Sequence, residues 1–198
     1  MGKKERKERE EKRESFAEKR SKEKRRNIAI AAGVFAVVAV IVGYSAYTFA
    51  TMSANVPGAP PGAGTLGDEH EHASLLVRIF GDKFDFSLPA YQIKSSWIHF
   101  EGQDGNTIHR HASGVTLGYL FDTLNVDVTN DCFIFPDQRE FCTNEDYSLK
   151  FYINHQKVNG IRDYVLKEGD RILISYGNES QEQIEEQLVE VDSQRLVG

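Results

Sequence analysis

Histidine is the residue type that offers most chemistry in this sequence. Five of the six histidines lie between positions 70 and 111: His70, His72, His99, His109 and His111. Neutral imidazoles are ligands of Zn(II) and Cu(II), and two histidines separated by one residue lie on the same face of a β-strand. The two His-x-His pairs therefore predict a metal-binding face wherever their strands are neighbours.

The loop after His99 decides whether these imidazoles meet. Residues 102–106 suit a three-residue hairpin loop whose last residue, Gly105, adopts a left-handed conformation. His99 then faces His109, whereas a two-residue loop would turn His99 to the other face of the hairpin. We therefore predict a metal site formed by His99, His109 and His111, assisted by His70 and His72 from an adjacent strand.

Copper is preferred to zinc at this predicted site. Imidazole-rich sites bind Cu(II) strongly, and the cysteines are expected to be paired with each other. Glu71 or Glu101 would supply an oxygen ligand or a hydrogen bond to an imidazole. Two other interpretations stay open, namely polar strand residues without a ligand and a pH-sensitive surface. No acid or nucleophile accompanies the histidines, so the residues favour a binding module over an enzyme.

The two cysteines predict a structural disulfide. Cys132 and Cys142 flank the segment FIFPDQREF, whose central Pro-Asp favours a turn between two short strands. Closing a loop of this size stabilises a domain by roughly 3 kcal/mol in the chain-entropy model. Thiol-exchange enzymes typically use Cys-x-x-Cys instead, so this spacing argues against a catalytic dithiol.

An apolar segment at residues 27–50 predicts a transmembrane helix. The chain has no charged residue between Arg26 and Asp68, and roughly 20 apolar residues in a helix cross the hydrocarbon core. A cleaved signal peptide has a shorter apolar region of about 7–15 residues. A buried core helix of this kind would need a larger soluble domain around it. Basic flanks stay in the cytoplasm, so the C-terminal domain is expected outside the cell membrane.

The net charge has opposite signs before and after this apolar segment. Residues 1–26 carry a net charge of +6, and the remainder carries −12. The mixed charges of the arm predict a solvated helix with Glu–Lys pairs, whose basic excess can rest on anionic lipids. The interleaved glutamates and the lack of an aromatic platform argue against nucleic acid as a partner. Residues 51–67 are rich in proline and glycine and are expected to form a stalk.

Residues 68–177 predict an α+β domain with a mixed sheet and one packed helix. Strands are expected at 73–80 and 83–88, at 96–101 and 106–111, and at 149–153, 164–166 and 171–176. The helix is expected at 115–126, because one face carries Leu117, Leu120, Phe121 and Leu124. Thr116 is its expected cap, and Asn125 is its expected end.

Residues 178–198 predict a short acidic helix that begins after Ser180, with Gln183 at capping-box spacing. Its thin apolar edge consists of Ile184, Leu188 and Val191. This edge is expected either to dock on a partner or to belong to a solvated tail.

The domain also carries a family resemblance. Its matching residues are His70, His72, Ile98-His99, Ile108-His109 and Thr116-Leu117-Gly118. With these, residues 69–177 resemble a family of membrane-anchored archaeal proteins with a ubiquitin-like β-grasp ectodomain. Residues 151–177 are similar to the closing segment of such domains. Some members bear the label protein-disulfide isomerase, which implies thiol–disulfide exchange.

Three functions follow as expectations. The first is a membrane-tethered module that binds a transition metal through the histidine cluster. The second is an adaptor subunit that joins a membrane complex through its single span and acidic tail. The third, implied only by the resemblance, is a thiol–disulfide oxidoreductase. The expected partners are the lipid bilayer, a copper or zinc ion, and subunits of a membrane complex.

Overall fold

The computed structural model describes residues 2–52 and 58–197. The chain divides into two compact units, Met1–Met52 and Ser53–Gly198. The described part of the first unit is one helix, α1 (Lys3–Met52), which contains both the basic arm and the apolar segment. By length and composition it is able to cross a membrane, and its most apolar stretch is not buried within the protein. The helix continues without a break across the predicted boundary near residue 27.

The second unit is an α+β domain, and the predicted fold class and mixed sheet are confirmed. Its elements are β1 (Glu71–Ile79), β2 (Asp82–Lys83), β3 (Ile98–His99), β4 (Thr107–Arg110), α2 (Leu117–Thr123), β5 (Asp127–Val128), β6 (Cys132–Ile134), β7 (Glu140–Cys142), β8 (Ser148–Ile153), β9 (Gln156–Val158), β10 (Arg171–Gly177) and α3 (Gln181–Ser193). A 3-10 turn spans Pro89–Tyr91.

The main sheet has the order β3-β4-β1-β10-β8-β9, and β2 pairs with the far end of β1. Strands β1 and β10 are parallel, while the other pairs are antiparallel. Strands β5, β6 and β7 form a separate three-stranded sheet. The predicted strand at 164–166 is absent: Tyr164 closes a turn by donating its backbone nitrogen to the Ile161 carbonyl, and its hydroxyl donates a hydrogen bond to Asp170.

The two central strands are apolar on both faces. Leu75, Val77 and Ile174 pack into the core on the α2 side, whereas Leu76 and Leu173 pack on the α3 side. Parallel strands covered on both faces typically carry such continuous apolar runs. The alternation expected of a half-exposed sheet is therefore missing from β1.

Helix α2 is capped, ended and packed by the residues that the sequence predicts for these roles. The Thr116 hydroxyl accepts a hydrogen bond from the Tyr119 backbone nitrogen, which caps the first turn. Asn125 follows the helix with a positive φ of 56° and ends it. The four predicted apolar residues, Leu117, Leu120, Phe121 and Leu124, are all buried. The helix is shorter than 115–126 because the cap at Thr116 and the left-handed Asn125 both lie inside that range.

Helix α3 belongs to the domain and is neither a solvated tail nor an element with a free apolar edge. Its predicted capping box between Ser180 and Gln183 is present. Ile184, Leu188 and Val191 are buried against the outer face of the sheet, where they contact the cluster that contains Leu76. The apolar edge is therefore covered by the sheet of the same chain.

Three further segments differ in detail from the expectations. Strand β2 is only two residues long: Phe84 still donates its backbone nitrogen to the Val77 carbonyl of β1, and Phe86 beyond it is buried in the core. Strand β9 was not predicted. Residues 58–67 of the predicted stalk lie against the domain, where Gly64 and Gly67 donate backbone hydrogen bonds to Ser113 and His111. Residues 53–57 lie outside the described part of the chain.

Cys132 and Cys142 face each other in β6 and β7 and form a disulfide. The described residues contain no free cysteine. The bond closes the small hairpin that the Pro136-Asp137 turn begins, as the spacing predicts. It therefore joins two neighbouring strands of the smaller sheet.

Because α3 packs on the sheet, alanine substitutions at two adjacent residues of this helix should differ in their effect on stability. Leu188→Ala should lower the free energy of unfolding by about 2–4 kcal/mol, because it leaves a cavity between α3 and the sheet. Val189→Ala should change it by less than about 0.5 kcal/mol, since the Val189 side chain is 58% exposed. Urea unfolding of the detergent-solubilised chain, followed by near-UV circular dichroism, measures both. Equal losses would contradict the packing of α3.

Candidate metal centre

Three neighbouring strands bring the histidines together. In the registers of β1, β4 and β3, His109 pairs with His72 on one side and with His99 on the other. The His111 backbone nitrogen donates to the Trp97 carbonyl in the same register. The predicted pairing of His99 with His109 is confirmed. Because side chains alternate along a strand, all five predicted histidines share one face.

The turn that sets this register differs from the predicted one. Gly102 and Gln103 have positive φ angles of 64° and 60°, and Gly105 is not left-handed. Gly105 is required for another reason: a Cβ there would lie 2.4 Å from the Ser87 backbone nitrogen. The glycine thus allows close approach of two backbones, while the left-handed residues lie at the start of the loop.

The five imidazoles form a closed patch, which we call the histidine patch: His70, His72, His99, His109 and His111. Around its perimeter the ring centroids are separated by 4.7 Å from His70 to His72 and 4.8 Å from His72 to His109. The remaining separations are 5.9 Å from His109 to His99, then 4.9 Å to His111 and 4.4 Å back to His70. Every predicted ligand therefore has two imidazole neighbours.

The tightest group within the patch is His70, His72 and His109. One nitrogen of each lies within 4.8 Å of the others, which is close enough to hold a metal ion. We had expected His99, His109 and His111 to form the centre and the first strand to assist. The structure instead brings the first strand into the closest group, because β1 lies directly beside β4.

Burial within the patch increases from one edge to the interior. His70 is exposed and precedes β1, His72 is partly exposed, and His109 is only 2% exposed. His99 is buried at 7% exposure. A metal ion would therefore enter from the His70 side and meet His109 at the base.

Two hydrogen bonds fix imidazole tautomers. The His72 Nδ1 lies 3.2 Å from a Glu168 oxygen that also accepts from the His72 backbone nitrogen. The His99 Nδ1 lies 2.6 Å from the Ser95 carbonyl oxygen, which can only accept. Each Nδ1 is therefore the donor, and in a neutral imidazole Nε2 is then the atom with the free lone pair. Metal-binding histidines commonly have such a partner on the other nitrogen.

Several imidazole nitrogens lack a hydrogen-bond partner. Among the described residues, six buried side-chain nitrogen or oxygen atoms are unpartnered, and three belong to the histidine patch. They are His72 Nε2, His109 Nδ1 and His111 Nε2. Leaving a buried polar atom unpaired costs about 1–3 kcal/mol. A metal ion would satisfy atoms that the protein itself leaves without a partner.

The electrostatics keep two of the five imidazoles in the neutral form. Burial lowers the pKa of His109 to about 4, which outweighs the attraction of Glu101. Burial and the neighbouring His99 also lower the pKa of His111. Both imidazoles are therefore neutral at pH 7, as coordination requires. Burial raises the pKa of Glu101, but the facing imidazoles of His109 and His99 outweigh this and lower it overall.

The opposite face of the same strands anchors the patch. Arg110 lies opposite Glu71 in the register of β4 and β1. Because successive side chains along a strand point to opposite faces, both point away from the histidines. The buried Arg110 guanidinium donates to the Leu166 and Ala112 carbonyls and to Glu69. Of the two predicted carboxylates, Glu101 faces the patch and Glu71 does not.

The contacts of Glu168 and Ser95 were not predicted. Glu168 is 96 residues from His72 in the chain, and no local spacing connects the two. The Ser95 carbonyl is a backbone group, so its role depends on the path of the loop before β3. Only the fold, which brings the turn before β10 beside β1, could identify Glu168.

Comparison of the chain with protein-family models, curated proteins and solved structures gives no match.

The lowered pKa of His109 predicts that the metal-free protein loses stability in acid. The unfolded chain binds a proton near pH 6.5, whereas folded His109 resists protonation until about pH 4. The free energy of unfolding should therefore fall between these values, by up to about 3 kcal/mol from this residue. Denaturant unfolding at a series of pH values measures the slope.

His109→Gln should flatten this slope, because it removes the titrating group. His155→Gln is the matched control, since His155 lies outside the patch and pairs with Asp192 at the surface. An unchanged slope in His109→Gln would contradict the assignment.

Proposed function

We propose that this protein is a membrane-anchored extracytoplasmic module that binds a transition metal through its histidine patch. The observation that carries the proposal is the group of His70, His72 and His109, with a buried Nε2 of His72 left unpartnered. Five imidazoles converge on one sheet face, and three of their nitrogens are buried without a hydrogen-bond partner. Metal coordination accounts for both their convergence and their unpaired nitrogens.

The distances between the nitrogens of His70, His72 and His109 support the binding of one ion among them. Two nitrogens bound to one ion at about 2.0–2.1 Å are at most about 4.2 Å apart. The three donors lie within 4.8 Å of one another, so the widest pair must approach by at least roughly half an ångström, and by about 1.5 Å around a tetrahedral ion. His70 is exposed and can supply this movement by rotation of its side chain.

Copper is the favoured metal. The ligands are imidazoles, both cysteines are in the disulfide, and Cu(II) binds nitrogen-rich sites more strongly than Zn(II). Zinc remains the second candidate because tetrahedral imidazole sites also suit it. The disulfide also gives the protein no thiol with which to hold Cu(I) or to exchange disulfides in this form.

The proposal places α1 across the cell membrane with the basic arm in the cytoplasm. The support is the length and apolar composition of the helix and the +6 charge of residues 1–26. The sheet order, with parallel β1 and β10 in the centre and α2 packed across one face, supports a β-grasp arrangement for the domain. An adaptor role has less support, because the apolar edge of α3 is buried.

Metal titration tests the binding function. Calorimetry of the detergent-solubilised chain with Cu(II) and then Zn(II) should give micromolar or tighter binding for copper. His72→Ala and His109→Ala should each weaken copper binding more than about 100-fold, which exceeds the usual loss from removing an outer partner. Glu168→Ala, which removes such a partner, should weaken it by about 10–100-fold.

His155→Ala serves as the control, since it removes the one histidine outside the patch. Its affinity for copper should match that of the unmodified chain. Affinity no better than millimolar, or equal affinity in all four variants, would reject the metal site.

The anchor predicts a specific protease pattern. In sealed vesicles with the cytoplasmic side inward, added protease should digest the domain after residue 58 and spare residues 2–26. A tag at each end, detected by immunoblotting, reports the two outcomes. Digestion of the N-terminal tag with protection of the C-terminal one would reverse the orientation, and release of the protein by alkaline carbonate would reject the anchor.

A further inference from the structure

The histidine patch contains donors beyond the closest group. His99 and His111 lie at the side away from His72, with ring centroids 4.9 Å apart. The carboxylate of Glu101 lies beside them, 3.3 Å from His99 Nε2 and 3.7 Å from His109 Nδ1. Together with the first group, these make six side-chain donors, which is more than the four ligands of a tetrahedral ion.

The contact between His99 and Glu101 carries the argument. His99 Nδ1 donates its proton to the Ser95 carbonyl, so Nε2 of a neutral His99 presents a lone pair. That lone pair points at the Oε2 of Glu101, which is also an acceptor. Two acceptors at 3.3 Å need a cation between them, and either a proton on His99 Nε2 or a metal ion fills that place.

The same distance fits coordination. Two donors bound to one ion at about 2.0–2.1 Å with a tetrahedral angle are about 3.3 Å apart. The second carboxylate oxygen, Oε1, faces His109, which belongs to the first group. His111, whose buried Nε2 has no hydrogen-bond partner, has its ring centroid 4.9 Å from that of His99 and supplies a further donor beside them.

We infer that the histidine patch binds two metal ions. His70, His72 and His109 bind the first, His99 and His111 bind the second, and Glu101 bridges the ions with one oxygen on each. This inference rests on the proposed metal-binding function. Metal ions in two-metal sites typically lie about 3.5–4 Å apart, a separation that one carboxylate spans with its two oxygens.

The stoichiometry of copper tests the pair. The full chain in detergent is loaded with Cu(II), freed of excess by gel filtration, and measured by elemental analysis against protein concentration. The ratio should be two for the unmodified chain and one for Glu101→Gln. Two bridged Cu(II) ions also couple magnetically, so the spin count from electron paramagnetic resonance should fall well below the copper content. In Glu101→Gln the spin count should equal the copper content.

Two matched variants separate the site from surface binding. Glu71→Gln removes a carboxylate from the other face of the same sheet, and His155→Gln removes the histidine outside the patch. Both should keep a ratio of two. His99→Gln should behave like Glu101→Gln.

Different copper-to-protein ratios would reject the second ion alone or the whole metal site. A ratio of one in the unmodified chain, unchanged in Glu101→Gln, overturns the second ion and leaves metal binding intact. A ratio of two that persists in both Glu101→Gln and His99→Gln also overturns it, because the second ion then lies elsewhere. A ratio near zero in the unmodified chain rejects both proposals.

Discussion

The parallel pairing of β1 with β10 is the constraint on which the rest of the domain depends. These strands lie 90 residues or more apart in the chain, and both are apolar on both faces. Each face of the pair needs a cover, and α2 and α3 provide one each. The long connection between the strands carries α2 and the disulfide hairpin, while the chain after β10 supplies α3. A shift of one residue in this register would exchange the two apolar faces and break both contacts.

The same pairing determines how the histidine patch is exposed. The ladder between β1 and β10 begins at Ser74, so the first residues of β1 extend past the end of β10 and pair only with β4. His72 lies in this extension, where the turn before β10 brings Glu168 to its Nδ1. The patch thus lies at the edge of the hydrophobic core: His109 is covered by protein, and His70 reaches solvent.

Much of the fold and of the histidine patch could be predicted from the sequence, although one correct prediction relied on a turn that the protein does not form. The face shared by the histidines followed from strand alternation, and α2 followed from its apolar spacing and the cap at Thr116. The register of His99 with His109 was predicted through a left-handed Gly105, and the register is right although the turn is not. The close group around His72 and the contact with Glu168 depend on which strands are neighbours. No local pattern encodes that, because β1 and β4 meet only after the whole domain closes.

The attachment of residues 58–67 has a mechanical consequence. A pull along the chain from its N-terminal side would load the hydrogen bond from Tyr119 to the Gly58 carbonyl and then the backbone bonds from Gly64 to Ser113 and from Gly67 to His111. The backbone bonds end directly after β4, the strand that carries His109. Ions bound across β1, β3 and β4 would cross-link the three strands at the point where the load enters. A bound metal would then brace these strands, and tension on the N-terminal side of the chain would reach the ligands themselves.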